Sequence, residues 1–477
     1  MLLTSNGNIN KTYCQNLCLI FFPGAKFPEG EAPAAGVPQV HIDVWEADGN
    51  VLATAAITLG GITETGKGSI PLTETIRPDR AYKMAVGDAM IEAGSRILGA
   101  APPWGILTGV RPAKIAAELK GRGLNRDGII VRLINEFHVR PDKAVLLADV
   151  NAVEEKAVSL AKRDTCSLYV SIPFCPTRCA YCSFVSYATP RYLATLPAYL
   201  DKLCEEIVTV CNGIKERGEK LLTVYVGGGT PTVLDPKQLD RLLTVIRRNI
   251  PDLPLEFTVE AGRPDTVTKE KFDVMLSHGV DRTSINPQIL DDVVLRGIGR
   301  RHSVEEFFRA YEIARASGIR SINTDLIAGL PGATKESFCS TIDQIVALAP
   351  ENVTVHTYCV KRSADLTAEA AEFGDKKGIY SFDGGVTGAC VDYAQEALRH
   401  GGYLPYYLYR QKNAQGNLEN VGFCRPDYEG LYNIFIMEEL QSIYAAGAGA
   451  VTKIVGGEGE KIRRIFAPKY TYEYLKG

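Results

Sequence analysis

Leu168-Tyr169-Val170-Ser171-Ile172-Pro173-Phe174-Cys175-Pro176-Thr177-Arg178-Cys179-Ala180-Tyr181-Cys182-Ser183-Phe184 is the stretch that decides how this chain is read. Leu168 to Ile172 reads as a strand, so Cys175, Cys179 and Cys182 fall on the loop at its C-terminal end, spaced C-x3-C-x2-C. Three thiolates within eight residues can wrap one soft-metal centre, an Fe–S cluster or zinc. A structural zinc site needs four protein ligands, and no fourth Cys or His lies nearby. On a four-iron cluster, three cysteines leave one iron open to a small molecule. The plainer alternative is three buried thiols that pack as small apolar groups. Their place on a strand-end loop weighs against it, because barrel-type α/β enzymes do their chemistry there.

Outward from this loop, strands alternate with helical stretches. The strands are Leu168–Ile172, Thr223–Val226, Leu255–Glu260, Arg282–Asn286, Ser321–Ile327 and Asn352–Tyr358. Parallel βα units need this alternation, and the right-handed crossover puts the helices outside. Six units predict an α/β fold with a partial (β/α)6 barrel over 165–385, not a closed eight-strand one. Residues 1–160 read as a separate N-terminal α+β domain of unassigned role. Val40, Ile42 and Val44 alternate with polar residues, Asp48-Gly49 makes a hairpin turn, and Val51 to Leu59 runs back. Helices are predicted over Ala81–Leu98, Ala113–Leu119, Ile129–Phe137 and Lys143–Ala161. Residues 386–477, with a helix from Val386 to His400 and a Tyr-rich stretch at 403–410, read as a C-terminal segment covering the barrel's open side.

Polar residues recur at the strand ends. Val226 leads into Gly227-Gly228-Gly229-Thr230-Pro231-Thr232. Three glycines let a backbone approach a ligand and aim N–H groups at it. The Lys-Ser/Thr pair of a phosphate loop is missing, so an amino or carboxylate group fits better. Glu260 ends the third strand, Gln288 follows the fourth, Arg300 stands in Gly299-Arg300-Arg301-His302, and Asp325 lies in Asp325-Leu326-Ile327. Each alone is more often a surface or salt-bridged residue. Their common address at successive strand ends makes the joint case.

The chain as a whole restricts the function classes. Its 477 residues are 45% hydrophobic and 23% charged, as in a soluble globular protein. A net charge of −3 provides no basic field for nucleic acid, which disfavours an RNA-acting enzyme. The apolar run from Cys18 to Pro23 is too short for a membrane span, and a cytoplasmic location is expected. The 12 Cys are irregularly spaced, which does not suggest a disulfide framework. Cys204 and Cys211 share a helix face and read as core.

These motifs resemble the radical S-adenosylmethionine (SAM) superfamily, and within it the oxygen-independent coproporphyrinogen III oxidases (coproporphyrinogen dehydrogenases), in the HemZ-like branch. The marks are Tyr169-x5-Cys175-x3-Cys179-x2-Cys182, Gly227-Gly228-Gly229-Thr230-Pro231, the Glu260 strand, Arg282-x-Ser284-x3-Gln288, Gly299-Arg300-Arg301-His302 and Asp325-Leu326-Ile327-x-Gly329-Leu330-Pro331. They span about residues 165–360. The first block, with Pro103-Trp104-Gly105-Ile106-Leu107-Thr108-Gly109-Val110-Arg111-Pro112, looks like the branch's own N-terminal extension.

The resemblance implies a [4Fe-4S] cluster on Cys175, Cys179 and Cys182. It implies one SAM at Tyr169, Gly228 and Glu260, and a second at Gly229, Thr230, Gln288, Arg300 and Asp325, with Cys359 and Val451 as looser matches. It further implies a low-potential donor such as ferredoxin or flavodoxin, and a tetrapyrrole substrate. Two propionates of coproporphyrinogen III would become the vinyl groups of protoporphyrinogen IX in haem biosynthesis. Cationic partners for the propionates are sought among Arg263, Arg282, Lys361, Arg362 and Arg410, and a pocket lining among Tyr406, Tyr407 and Tyr409. Phe184 departs from the oxidases, which carry Cys there. Phe at that place also resembles the related haem chaperones, so a haem-binding chaperone on the same scaffold is the alternative.

Overall fold

A computed structural model of the protein describes residues 1–28, 36–74, 76–109, 111–182, 187–359, 384–411, 414–457 and 460–476. Phe184, Lys361 and Arg362 lie outside these. The cysteine loop follows strand β5 (Thr165–Ile172) of a large sheet. Its next strands are β6 (Lys220–Gly228), β7 (Glu256–Glu260), β8 (Arg282–Ser284), β9 (Ser321–Ala328) and β10 (Asn352–Thr357). These six are neighbours in chain order, and every pair is parallel. Helices Leu196–Glu216, Pro236–Asn249, Lys269–Ser277, Val304–Ala316 and Lys335–Leu348 connect them. The sheet does not close on itself, so the fold is the partial barrel. Asp235 with Gln238, and Ser303 with Glu306, form capping boxes that fix two helix starts. Seven of the eight residues of β5 are buried, as in a parallel sheet covered on both faces.

The C-terminal segment does more than cover. It supplies β11 (Leu404–Arg410), β12 (Glu419–Cys424), β13 (Ser442–Ala446), β14 (Val451–Ile454) and β15 (Arg463–Phe466). The full order is β11-β12-β10-β9-β8-β7-β6-β5-β13-β14-β15. β12 runs antiparallel to β10, β13 parallel to β5, and β14 with β15 forms an antiparallel edge. Ser442-Ile-Tyr-Ala-Ala is short and buried throughout, so it shows no alternation to read.

The described residues divide into two units, one of 1–152, 384–389 and 408–420, the other of the remainder. The first holds a four-stranded sheet in the order β1 (Leu2–Asn6), β2 (Gln39–Ala47), β3 (Asn50–Leu59), β4 (Ile62–Pro71). The Asp48-Gly49 turn has φ of 49° and 73°, as a two-residue hairpin requires. Helix Pro78–Leu98 packs on this sheet. A Cβ at Gly66 would sit 2.1 Å from the Ala89 carbonyl oxygen, and one at Gly68 would sit 2.0 Å from that of Ala85. Both glycines let the helix backbone lie directly on β4. That polar, Gly-bearing strand escapes a pattern search for the same reason.

Candidate functional site

The cysteine loop is held by backbone bonds on both sides. Cys175 N–H donates to the Tyr187 carbonyl (3.1 Å), and Tyr187 N–H donates to that of Pro173 (2.9 Å). Ala180 N–H reaches the Ile298 carbonyl, and Cys182 N–H that of Cys179, both at 3.0 Å. Two donors face sulfur: Thr230 Oγ1 lies 3.4 Å from Cys175 Sγ, and Arg263 Nη1 lies 3.7 Å from Cys179 Sγ. Burial pushes the Cys175 thiol up, against the Thr230 bond. Arg263 is buried and also grips Thr177, through its carbonyl (3.1 Å) and hydroxyl (2.8 Å). Donors of this kind stabilise thiolates. Among the described residues no three His, Cys, Asp or Glu side chains converge on one ion-sized point. A four-iron cluster takes each thiolate on a different iron and needs no such point. Three soft sulfurs with cationic and hydroxyl donors fit that group.

The glycine run is built against this loop. A Cβ at Gly229 would lie 2.5 Å from the Phe174 carbonyl oxygen and 2.8 Å from that of Ile172. The Gly229 and Thr230 amides donate to those same two carbonyls, at 2.8 Å each. They are therefore not aimed at a ligand, which corrects the reading of the run as a row of free N–H groups. Gly228 adopts φ 106°, a conformation that favours glycine.

Glu260, at the tip of β7, accepts from Tyr225 OH. It is surrounded by protein but keeps an accessible edge. Burial pushes its carboxyl up to about 7, with the Asp325 charge adding and the Tyr225 bond and the Gly228 backbone opposing. The Tyr225 ring stacks on Tyr432 at 4.4 Å, and Tyr169 stands 6.2 Å from both. Tyr432 comes from helix Leu431–Glu438 in the C-terminal segment.

Asp325 is held by Asn286 Nδ2 (2.8 Å) and Asn323 Nδ2 (2.7 Å), with His356 Nε2 at 3.9 Å. Burial alone would raise its carboxyl, but His356, Asn323 and Thr354 keep it below the usual range. Gln288 is buried at φ 70°, and its amide donates to the Asp325 carbonyl (3.1 Å). Arg300 donates through Nη1 to the carbonyls of Gly262 (3.1 Å) and Asn286 (2.8 Å). Its Nη2 bonds Tyr181 OH (3.1 Å), within the cysteine loop. His302 is buried near Arg300 and Arg263, and burial with these two cations pushes it down to about 3.

The propionate candidates separate. Arg263 stays at the cysteine loop. Arg282 begins β8, at the opposite end of the strands, where it bonds Ser321 Oγ (3.2 Å) and the Tyr428 carbonyl (3.2 Å). Arg410 falls in the first unit and donates to the carbonyls of Leu107 and Asn417. Arg282 does not stand at the strand ends that gather Glu260 and Asp325, and Arg410 is engaged by the two carbonyls of its own unit. Tyr406 and Tyr407 are core, and Tyr406 OH lies 3.5 Å from Arg282 Nη2. Cys359 is buried just after β10, and Val451 begins β14. Sequence reading missed Tyr225, Asn286, His356 and Tyr432. The first three sit on or just past the strands already read, at positions whose side chains share a face with predicted residues; Tyr432 carries no local signal.

Comparison with known proteins identifies the family. A profile described as the Radical SAM superfamily matches residues 169–345. The oxygen-independent coproporphyrinogen-III oxidase-like protein HemZ of Bacillus subtilis is 35% identical over 474 residues, 96% of this chain and 91% of that one. The heme chaperone HemW of Bacillus subtilis is 36% identical over 200 residues, 41% of this chain and 51% of its own. The solved coproporphyrinogen III oxidase HemN of Escherichia coli, titled a radical SAM enzyme, aligns with TM-score 0.51 and 25% identity, over 67% of this chain and 70% of that one. The cofactors are those of the superfamily, a [4Fe-4S] cluster and SAM. The chain belongs to the radical SAM superfamily, in the oxygen-independent coproporphyrinogen-III oxidase-like family.

Proposed function

We propose that the protein is an oxygen-independent coproporphyrinogen III dehydrogenase, which turns two substrate propionates into the vinyl groups of protoporphyrinogen IX. One observation carries the reading: the cysteine loop, Glu260 and Asp325 stand at the same end of parallel strands, with Arg300 joining that loop to the β7 and β8 ends. Cys175, Cys179 and Cys182 are the proposed cluster ligands. Tyr169, Gly228 and Glu260 line the proposed first SAM site; Gly229, Thr230, Gln288, Arg300 and Asp325 line a second. When bound there, the cluster and SAM would supply reductive C–S cleavage and hydrogen abstraction from a propionate β-carbon.

The chain's own residues prepare that chemistry. Thr230 and Arg263 donate to the sulfurs and lower the cost of thiolate charge. A Glu260 carboxyl near pKa 7 ionises readily beside an ammonium group, because an opposite charge offsets its desolvation. Asp325, held ionised by its amide and imidazole neighbours, suits a second cation or a ribose hydroxyl. The Tyr169–Tyr225–Tyr432 group keeps water from one wall. A reduced ferredoxin or flavodoxin in the cytoplasm is the proposed donor. No helix among the described residues is long and apolar enough to cross a membrane.

Two features support a second reading, a haem chaperone on the same scaffold: Phe184, and the similarity to HemW over 200 residues. Anaerobic incubation with coproporphyrinogen III, SAM and dithionite separates the two. The dehydrogenase forms a monovinyl intermediate and then protoporphyrinogen, with CO2 release tracking 5′-deoxyadenosine. Tight haem binding without any vinyl product, in protein shown to hold cluster and SAM, would replace the first reading with the second.

A further inference from the structure

The β15 edge of the large sheet differs from the surface around it. All four residues of β15 are exposed, Ile465 by 51% and Phe466 by 71%. It is the last strand in the order, so one side of its backbone has no neighbouring strand among the described residues. Beyond it, the rings of Tyr470 and Tyr472 stack 5.4 Å apart at 12°, with 36% and 48% exposure. Residues 451–477 carry six Lys or Arg against three Glu, in a chain whose net charge is −3. The Lys469 ammonium stands 5.4 Å from the Tyr470 ring. Residues 463–472 thus carry exposed aliphatic, aromatic and basic side chains close together in the chain, the composition of an interaction site.

This patch reaches the cysteine loop through one residue. Thr471 N–H donates to Tyr187 OH at 3.2 Å, and the Tyr187 carbonyl accepts the Cys175 N–H at 3.1 Å. Tyr187 also bridges Phe174, the residue before Cys175. We propose that the β15 edge, centred on Phe466, Tyr470 and Tyr472 and rimmed by Arg463 and Lys469, is the docking surface for an acidic one-electron carrier protein that reduces the cluster. The assignment rests on the proposed function in needing a cluster on Cys175, Cys179 and Cys182. Charge complementarity selects the partner, since a basic rim around an apolar centre speeds encounter with an acidic protein and makes it salt-dependent. In the transfer itself, a flavin hydroquinone on the carrier loses one electron and becomes the semiquinone. The cluster gains that electron, passing from the 2+ to the 1+ state; no covalent bond changes.

The test uses the full chain and a reduced acidic flavodoxin. Carrier binding is titrated with cluster-free protein, and cluster bleaching is followed by stopped flow after anaerobic reconstitution. Arg463→Glu with Lys469→Glu, and separately Phe466→Ser, should weaken flavodoxin binding and slow flavodoxin-driven bleaching about tenfold or more. Bleaching by dithionite should not change. Added salt should slow the flavodoxin arm of wild type alone. Equal flavodoxin rates in wild type and the charge-reversal variant overturn the proposal. So does a wild-type dimer that Phe466→Ser dissolves while the flavodoxin rate is unchanged, because β15 would then join copies of this chain. If the flavodoxin pattern appears but no vinyl product ever forms, the docking surface stands and the dehydrogenase reading falls.

Discussion

Arg263 and Arg300 reach the cysteine loop from different places: Arg263 divides its donors between that loop and the Asp265 carboxylate, and Arg300 divides its own between the loop and strand-end carbonyls. A planar guanidinium can serve three acceptors at once, which a lysine ammonium on its flexible stem does less well. Arg300 was readable from its motif; Arg263 was visible only as one of many cations, because the sulfur it faces lies more than eighty positions earlier. Glu260 shows a second effect of burial. Its folded carboxyl titrates near 7, above the ordinary 4.5, so the folded state binds this proton more tightly than the unfolded chain does. Its contribution to stability is complete below pH 4.5 and is lost as pH rises through 7. We expect the melting temperature of the cluster-free protein to fall between pH 5 and 8, and Glu260→Gln to flatten that fall. A Gln variant with the wild-type pH profile would show that Glu260 is not the titrating group. Saturating SAM should shrink that fall and move its upper end to lower pH, because an ammonium group beside this carboxylate favours its ionised form.

At the scale of elements, the six parallel strands were legible because each has a short β-branched or apolar run with a polar residue at its end. The residue at each strand end was legible with it, since parallel strands place their C-terminal ends together. What was not legible depends on partners distant in the chain. β4 needs glycines because helix Pro78–Leu98 lies on it, and β13 is fixed by pairing with β5 on one side and β14 on the other. Helix Leu431–Glu438 is the clearest case. Its first amides, Leu431 N–H (2.7 Å) and Tyr432 N–H (3.2 Å), donate to the carboxylate of Glu256 at the start of β7. An acid there satisfies orphan amides and faces the positive end of the helix. The cap therefore places Tyr432 on Tyr225, which in turn bonds Glu260. Glu256→Gln leaves one oxygen for two amides and removes the charge facing Arg282. We expect a loss of about 1–3 kcal/mol in urea unfolding. Hydrogen exchange should quicken at Leu431 and Tyr432 before the rest of the second unit. Unchanged protection of both amides would mean that side-chain packing, not the cap, fixes this helix.

At the scale of the molecule, the first unit is completed by residues that come far later in the chain. Glu419, only 1% exposed, accepts from Lys143 Nζ (2.7 Å) and Trp104 Nε1 (2.7 Å), both buried. Arg410 lies over the Trp104 ring at 5.6 Å and donates to the Leu107 carbonyl. The Pro103–Thr108 motif, which looked like a family mark, thus has a packing reason: it forms the wall around a buried charge pair. Breaking such a pair from one side costs about 3–5 kcal/mol, because the remaining charge stays in a site built for two. That is a large share of the ~5–15 kcal/mol of a typical domain. Glu419→Ala should therefore unfold the first unit at much lower urea. Glu419→Gln should do less harm, since the amide oxygen can still accept one bond. Residues 1–160 made alone lack Glu419 and Arg410 altogether, and should show poor near-UV dichroism and rapid proteolysis. Adding residues 404–424 through a linker should restore both. The variant also tests the second unit's dependence on the first. If Glu419→Ala melts the four-stranded sheet while anaerobic reconstitution still gives close to the wild-type iron content, the barrel carries its cluster without help, and the N-terminal unit has to be explained by something other than cluster assembly.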